Sequence, residues 1–276
     1  MKRLCWIGMG TMMTLAIMGF AKGFQFSKSL ETIPKSEAVP LPEIVQNSNR
    51  PLVAFGPNEQ LIYDIHYGPI PAGRAALEVH PMSNGLWKLE ARGWSRKFYD
   101  WVFPVRDSYI SHFNPNTQLP ERFLRNVREG NYRLNQDYEF NWAAGWCETE
   151  EHRRRTPETE DAFALKCRMH DLVSAFYVMR NMDFSQMVPG SHLTMPTLVD
   201  GELISLQVTL VARENIQWEG KTTQTLCFQP VIQEGRIWKS RDDLTLWVSD
   251  DNRHIPLLIQ TDLLIGSLKI RLQSNS

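Results

Sequence analysis

After position 60 the chain alternates. Leu61, Tyr63, Ile65 and Tyr67 are interleaved with Ile62, Asp64 and His66, and residues two apart share one face of a strand. Similar short runs follow: Ala75–His80, Leu86–Arg92, Asp107–Phe113, Phe123–Arg128 and Tyr132–Phe140, then Thr194–Val199, Glu202–Ala212, Thr222–Pro230, Leu244–Ser249, Pro256–Asp262 and Gly266–Leu272. Turn residues close them, among them Ser83-Asn84-Gly85, Glu129-Gly130-Asn131, Asp200-Gly201, Glu219-Gly220 and Asp250-Asp251-Asn252. The pattern predicts an all-β domain of about twelve strands. Hairpin-length connections imply antiparallel order. A twisted sheet of that width curls into a barrel-like or half-barrel domain, or splits into two layers. Asn84-Gly85 reads as a two-residue turn with both φ angles positive.

One segment leaves the period of two. Leu172, Ala175, Phe176 and Met179 have helical spacing, Asp171 suits the N-cap, and Arg180 suits the negative C-terminal end. This predicts a short helix over about residues 171–180, packed on or in the curved sheet. Arg96–Trp101 is a second candidate short helix.

The first residues read as an address. Met1-Lys2-Arg3 is cationic, Leu4 to Ala21 carries no charge, and Ala21 and Gly23 are small. That is the layout of a signal peptide over 1–23. An uncleaved anchor is the alternative, at about 27 Å of helix against a bilayer core of about 30 Å. Cleavage would leave a mature chain without a membrane span, exported to the periplasm or outer envelope. Residues 24–52 hold Pro34, Pro40, Pro42 and Pro51 and read as a Pro-rich linker, with a single β domain over 53–273. Beyond residue 23 the cysteines are Cys147, Cys167 and Cys227. A Cys147–Cys167 bridge and buried free thiols are both open readings. No spacing is C-x-x-C, so a zinc or thioredoxin-like site has no support.

Several strings, in order, carry a resemblance. They are Phe55-Gly56-Pro57-Asn58-Glu59-Gln60-Leu61-Ile62-Tyr63, Tyr67-Gly68 with Ala72-Gly73, and Phe103-Pro104-Val105-Arg106-Asp107. Asp171-Leu172-Val173-Ser174-Ala175-Phe176-Tyr177 with Arg180 follows, then Leu246-Trp247-Val248-Ser249-Asp250-Asp251 with Ile255-Pro256, and Gly266-Ser267. Over residues 53 to 273 the set resembles the exported bacterial family known as domain of unknown function 3108. The resemblance implies an envelope location and a curved, barrel-like β fold. It supplies no agreed catalytic residues, so none is carried over.

Lys+Arg is 30 against Asp+Glu 31, a net charge of −1. That balance gives no electrostatic case for nucleic acid. Asp171 and Ser174 evoke a Ser-His-Asp hydrolase, but there is no G-x-S-x-G elbow, and helix capping explains both residues. Asp250-Asp251-Asn252 is explained as a turn before it is read as a calcium loop. No catalytic residue, metal site or cofactor is therefore expected. Arg153-Arg154-Arg155 reads as a solvated loop face. Trp94-Ser95-Arg96-Lys97-Phe98-Tyr99-Asp100-Trp101 mixes aromatics with cations; the simpler reading packs its rings on the sheet end, the other makes an interfacial or glycan-facing lip. Arg106 is expected to meet a carboxylate inside the sheet, with Asp171 the candidate. Arg106, Asp171, Arg180 and Trp247 are the ligand-binding candidates. The leading expectation is a binding or assembly protein that takes an apolar, lipid-like or glycan envelope component in a sheet cavity. The alternatives are a structural partner in an envelope protein complex and a hydrolase acting on envelope polymers.

Overall fold

The computed structural model describes residues 50–101, 103–154, 157–230, 244–262 and 266–273. The expected signal peptide, nearly all of the linker and Arg155 lie outside them.

The first meander has eight strands: β1 (Gln60–Tyr67), β2 (Ile70–Pro81), β3 (Trp87–Ser95), β4 (Val105–Asn114), β5 (Leu119–Glu129), β6 (Tyr132–Asn141), β7 (Trp146–Arg153) and β8 (Thr159–Ala164). The second has six: β9 (His192–Val199), β10 (Glu202–Trp218), β11 (Lys221–Pro230), β12 (Leu244–Ser249), β13 (Pro256–Asp262) and β14 (Ser267–Leu272). Helix α1 (Lys97–Asp100) joins β3 to β4, and α2 (Leu172–Arg180) lies between β8 and β9. All strand pairs in the sheet are antiparallel, and β14 pairs with β1 to join the meanders into one sheet. Among the described residues that sheet has fourteen strands and two free ends, β8 and β9, so it curls without closing into a barrel. The strand count and the closure considered from the sequence are both corrected here. The two extra strands are β7 and β8.

Turn chemistry follows backbone need. Asp200 and Gly201 both have positive φ, as do Glu219 and Gly220, the geometry of a tight hairpin turn. At Asn84-Gly85 only Gly85 has positive φ. There Met82 N–H donates to Leu86 O, and Gly85 N–H to Met82 O, making a longer loop with glycine in the left-handed position.

An up-and-down order sends alternate connections to opposite ends. One rim carries the β1–β2 turn, α1, and the β5–β6 and β9–β10 turns. The other carries the β2–β3, β4–β5 and β12–β13 turns, and the crossover containing α2 leaves and re-enters the sheet there. Helix α2 plugs that second rim. Tyr177, Val173 and Ala175 are fully buried. The Tyr177 ring meets Phe55 at 4.9 Å, and Ala175 packs with Met195 and Leu206. The helix packs on β3 and β4, whose inward residues include Leu89 and Phe113, and the same buried core takes in Tyr63, Ile65 and Leu134.

Candidate functional site

Asp171 and Arg180 stand at the two ends of α2, and both fasten the plug. Asp171 is the N-cap: its Oδ1 accepts from the N–H groups of Val173 (2.8 Å) and Ser174 (2.9 Å). Its Oδ2 accepts from the hydroxyls of Ser111 on β4 (2.6 Å) and Ser174 (2.9 Å). Burial pushes the Asp171 carboxyl up to about 6, against the pull of those hydrogen bonds. Ser174 is fully buried, so its hydroxyl closes a capping box and meets no substrate from solvent. Beside it, burial and the Arg168 charge push His170 down to about 3, and its Nδ1 has no hydrogen-bond partner.

Arg180 grips Glu59 through two nitrogens, at 2.8 and 3.1 Å. It also donates to the carbonyls of Ala54 and Arg253 and lies 5.3 Å over the Tyr177 ring. Both side chains of the pair are at most 5% exposed. Burial opposes the Arg180 charge, and Glu59 outweighs it and raises its pKa. This is a buried clamp between the plug, the entry to β1 and the β12–β13 turn.

Arg106 and Trp247 lie elsewhere. On β4 the inward residues are Val105, Asp107, Tyr109, Ser111 and Phe113, so Arg106 faces out. It cannot share a face with Ser111, the β4 contact of Asp171. Its carboxylate is Asp100 of α1, at 2.5 Å, with Ser95 completing the contact. Trp247 sits on the opposite face from Leu246 and Val248, and its indole N–H donates to Glu214 at 2.6 Å. The four candidates form no common site.

A polar cluster that sequence reasoning passed over lines the α1 half of the interior. Arg125 projects inward from β5 between Phe123 and Val127, with its side chain 2% exposed. Its Nη1 donates to Asp200 (2.7 Å) and Gln136 (3.0 Å), and its guanidinium lies 5.3 Å from the Tyr109 ring. Burial works against its charge; Tyr109 and Asp200 outweigh that and raise its pKa. Gln136 on β6 donates to Glu151 (2.6 Å) and Asp200 (3.1 Å). Tyr138 accepts from Gly201 N–H at 3.1 Å. Asp107 and Glu129, both buried, continue the cluster toward the rim. Its signal was available: Asp107, Arg125 and Glu129 stand at inward positions of the period-two pattern, where an apolar residue is the rule.

Comparison with known families then decides what kind of chain carries this interior. Residues 62–273 match the family described as "Protein of unknown function (DUF3108)". The chain belongs to the DUF3108 family. A solved structure described as a beta-barrel-like protein of domain of unknown function DUF1849, from Brucella abortus, is similar in fold. The TM-score is 0.52 at 10% identity, covering 82% of this chain and 98% of that one. No curated protein matches the sequence.

Other sites resolve into structural roles in this DUF3108 chain. Glu78, His80 and Glu90 place ligand atoms within 4.8 Å of one another on the outer face. Arg92 and Gln60 already hold Glu78, and Lys88 holds Glu90, so a cation there would have to displace them. Asp251 accepts from Ser249 Oγ and from the N–H groups of Arg253 and His254, while Asp250 pairs with Arg213, which accounts for the acidic turn. Cys147, Cys167 and Cys227 are free thiols. No helix among the described residues is long and apolar enough to cross a membrane. The aromatic segment departs from its simpler reading: no residue of α1 is buried, and Phe98 and Trp101 are 73% and 81% exposed.

Proposed function

We propose that this chain is an exported envelope protein that binds an amphipathic envelope component, lipid-like or glycan-bearing, by its polar end. The ligand enters at the α1 rim. The observation that carries this reading is the unequal treatment of the two ends. At one, α2 fills the rim and covers Arg180; at the other no helix residue is buried, and Arg125 lines the interior, its Nε, like that of Arg180, without a partner. A buried donor left unpaired costs about 1–3 kcal/mol, which a ligand oxygen would recover. Asp200, Gln136 and Glu151 hold the Arg125 side chain in place for that oxygen. Apolar neighbours such as Tyr109, Val127 and Leu134 supply the wall behind it.

The test is native mass spectrometry of protein purified gently from its own envelope, followed by organic extraction. A bound amphiphile in near-equal amount is expected, with markedly less in Arg125→Lys. Folded protein that carries no such molecule, and takes none from an envelope extract, would overturn the reading.

A further inference from the structure

The outer surface below the α1 rim carries a row of arginines. Strand register places Arg74 opposite Trp94, Trp94 opposite Arg106, Arg106 opposite Arg128, and Arg128 opposite Arg133. Arg154 follows, its N–H bonded to Arg133 O. Like charges directly opposite across strands are destabilising, so Arg106, Arg128 and Arg133 side by side do not serve the sheet. Arg128 donates to Asn126, Arg133 to the carbonyls of Gly130 and Tyr132, and Arg154 to Asn131, all neutral groups. The next outward row is Ser108, Asn126, Asn135 and His152. Beyond Asp64 and Asp100, the nearest outward carboxylates of β2 to β7 are Glu78, Glu90, Asp137 and Glu150, a further row away, where Arg92 and Lys88 hold Glu78 and Glu90.

Above this row sits α1. Arg96 and Lys97 add two cations. Asp64 partners Arg74 and Arg96, and Asp100 partners Arg106. Along the row and α1, seven cations therefore face two carboxylates, in a chain whose overall net charge is −1. Phe98 and Trp101 project from the same place, and the β1–β2 turn beside them exposes Ile70. Arg96 N–H bonds Ala72 O, which keeps that turn against α1.

We infer that the α1 rim docks on an anionic lipid bilayer surface. Aromatic side chains suit the headgroup boundary. A cationic band one residue row behind them suits the negative surface potential, which falls off within a Debye length. The charge excess selects an anionic surface over a neutral one, and the exposed rings select a bilayer over a purely polar polyanion. This goes beyond the ligand reading and rests on different residues, all on the outer surface.

Hydrogen–deuterium exchange of the full chain tests it, because the readout is local and separate from any membrane contact by residues 4–21. Vesicles of phosphatidylglycerol with phosphatidylcholine should protect amides over residues 96–101 and 126–133, and phosphatidylcholine alone should not. Phe98→Ser with Trp101→Ser should abolish the protection. Arg128→Gln with Arg133→Gln should weaken vesicle affinity about tenfold or more, with a thermal midpoint at or above that of the unaltered chain. Equal protection by neutral vesicles, unchanged affinity in the arginine variant, or protection by a sulfated polysaccharide but not by vesicles would each overturn the inference. Retention of the interior ligand is scored separately, so loss of docking with ligand retained leaves the proposed function standing.

Discussion

Arg180 and Arg106 are both paired with a carboxylate, yet cutting them back should have unequal effects. Arg180 and Glu59 are withdrawn from water, and removing Arg180 leaves the buried Glu59 carboxylate with only the exposed Arg253 guanidinium, at 3.2 Å. Arg180→Ala should cost about 3–5 kcal/mol. The Arg106 side chain is 48% exposed, and Arg106→Ala should cost under about 1 kcal/mol. Urea unfolding of the two variants checks the contrast. Burial of titrating groups gives a second prediction. Asp171 has its pKa raised to about 6, so its contribution is complete below its unfolded pKa near 4 and fades as pH rises through about 6. His170 has its pKa lowered to about 3. It contributes above its unfolded pKa near 6.5, and stability is lost as pH falls through the window down to about 3. Between about pH 4 and 6 the two slopes oppose each other. Asp171→Asn keeps a capping oxygen and should therefore make stability fall more steeply with acid across that window than in the unaltered chain. His170→Asn should reverse the change, each by about 3 kcal/mol across the window. Denaturation midpoints at a series of pH values decide it; parallel curves for all three proteins would show that neither group titrates as its burial requires.

At the scale of elements, the free ends of the sheet are held by side chains rather than by a ladder. The β9–β10 turn reaches across to the inner face of β5 and β6, where Asp200 meets Arg125 and Gln136, and Gly201 meets Tyr138. A Cβ on Gly201 would stand 3.3 Å from the Phe163 ring of β8, with the backbone at φ +77°. Asp200→Ala should strip Arg125 of its carboxylate and destabilise by about 2 kcal/mol, the Asp200 side chain being partly solvated. Amide exchange should then quicken first in β8 and β9, while β2 and β3 stay protected. Uniform quickening would mean that the turn is not what holds these ends. Most of this element structure was legible in the sequence. Helix α2 lies at the expected place because Asp171, Leu172, Ala175, Phe176, Met179 and Arg180 state a cap, an apolar stripe and a stop in ten consecutive residues. Strands β7 and β8 were not legible, because Glu148, Glu150, Glu151, His152, Glu160 and Asp161 leave only Cys147, Thr149 and Phe163 to mark an inner face. Alternation fades in strands that are polar on both sides. Arg106 was placed inside because its partner was sought by charge; the parity of β4 already faced it outward.

For the molecule as a whole, the sheet order makes β1 and β14 a seam between two meanders. The seam is short: Tyr63, Ile65 and Tyr67 face Leu272, Ile270 and Leu268 across antiparallel strands. Ile65 and Ile270 are fully buried there. A second tie lies on the far side, where α2 packs with β3 and β4 of the first meander and with β9 of the second. A third is the β9–β10 turn, where Asp200 and Gly201 meet β5 and β6. With these ties in place, weakening the seam lowers the stability of the whole without letting the halves come apart. Ile65→Ala should cost about 2–5 kcal/mol as an unfilled core volume. Unfolding followed by exchange of the slowest amides in β4 and in β11 should still report one common free energy. Adding Tyr177→Ala removes the ring that joins α2 to Phe55 and the core. With Asp200→Ala also added, which cuts the contact of the β9–β10 turn with Arg125 and Gln136, the two meanders should separate, with β11 opening at lower free energy than β4. The second meander has fewer strands, and part of its apolar core is a satellite cluster around Phe184, Leu210, Leu226, Phe228 and Val248. Separation already in Ile65→Ala would show that the seam alone couples the halves, and that α2 fills the rim without joining what lies on either side of it.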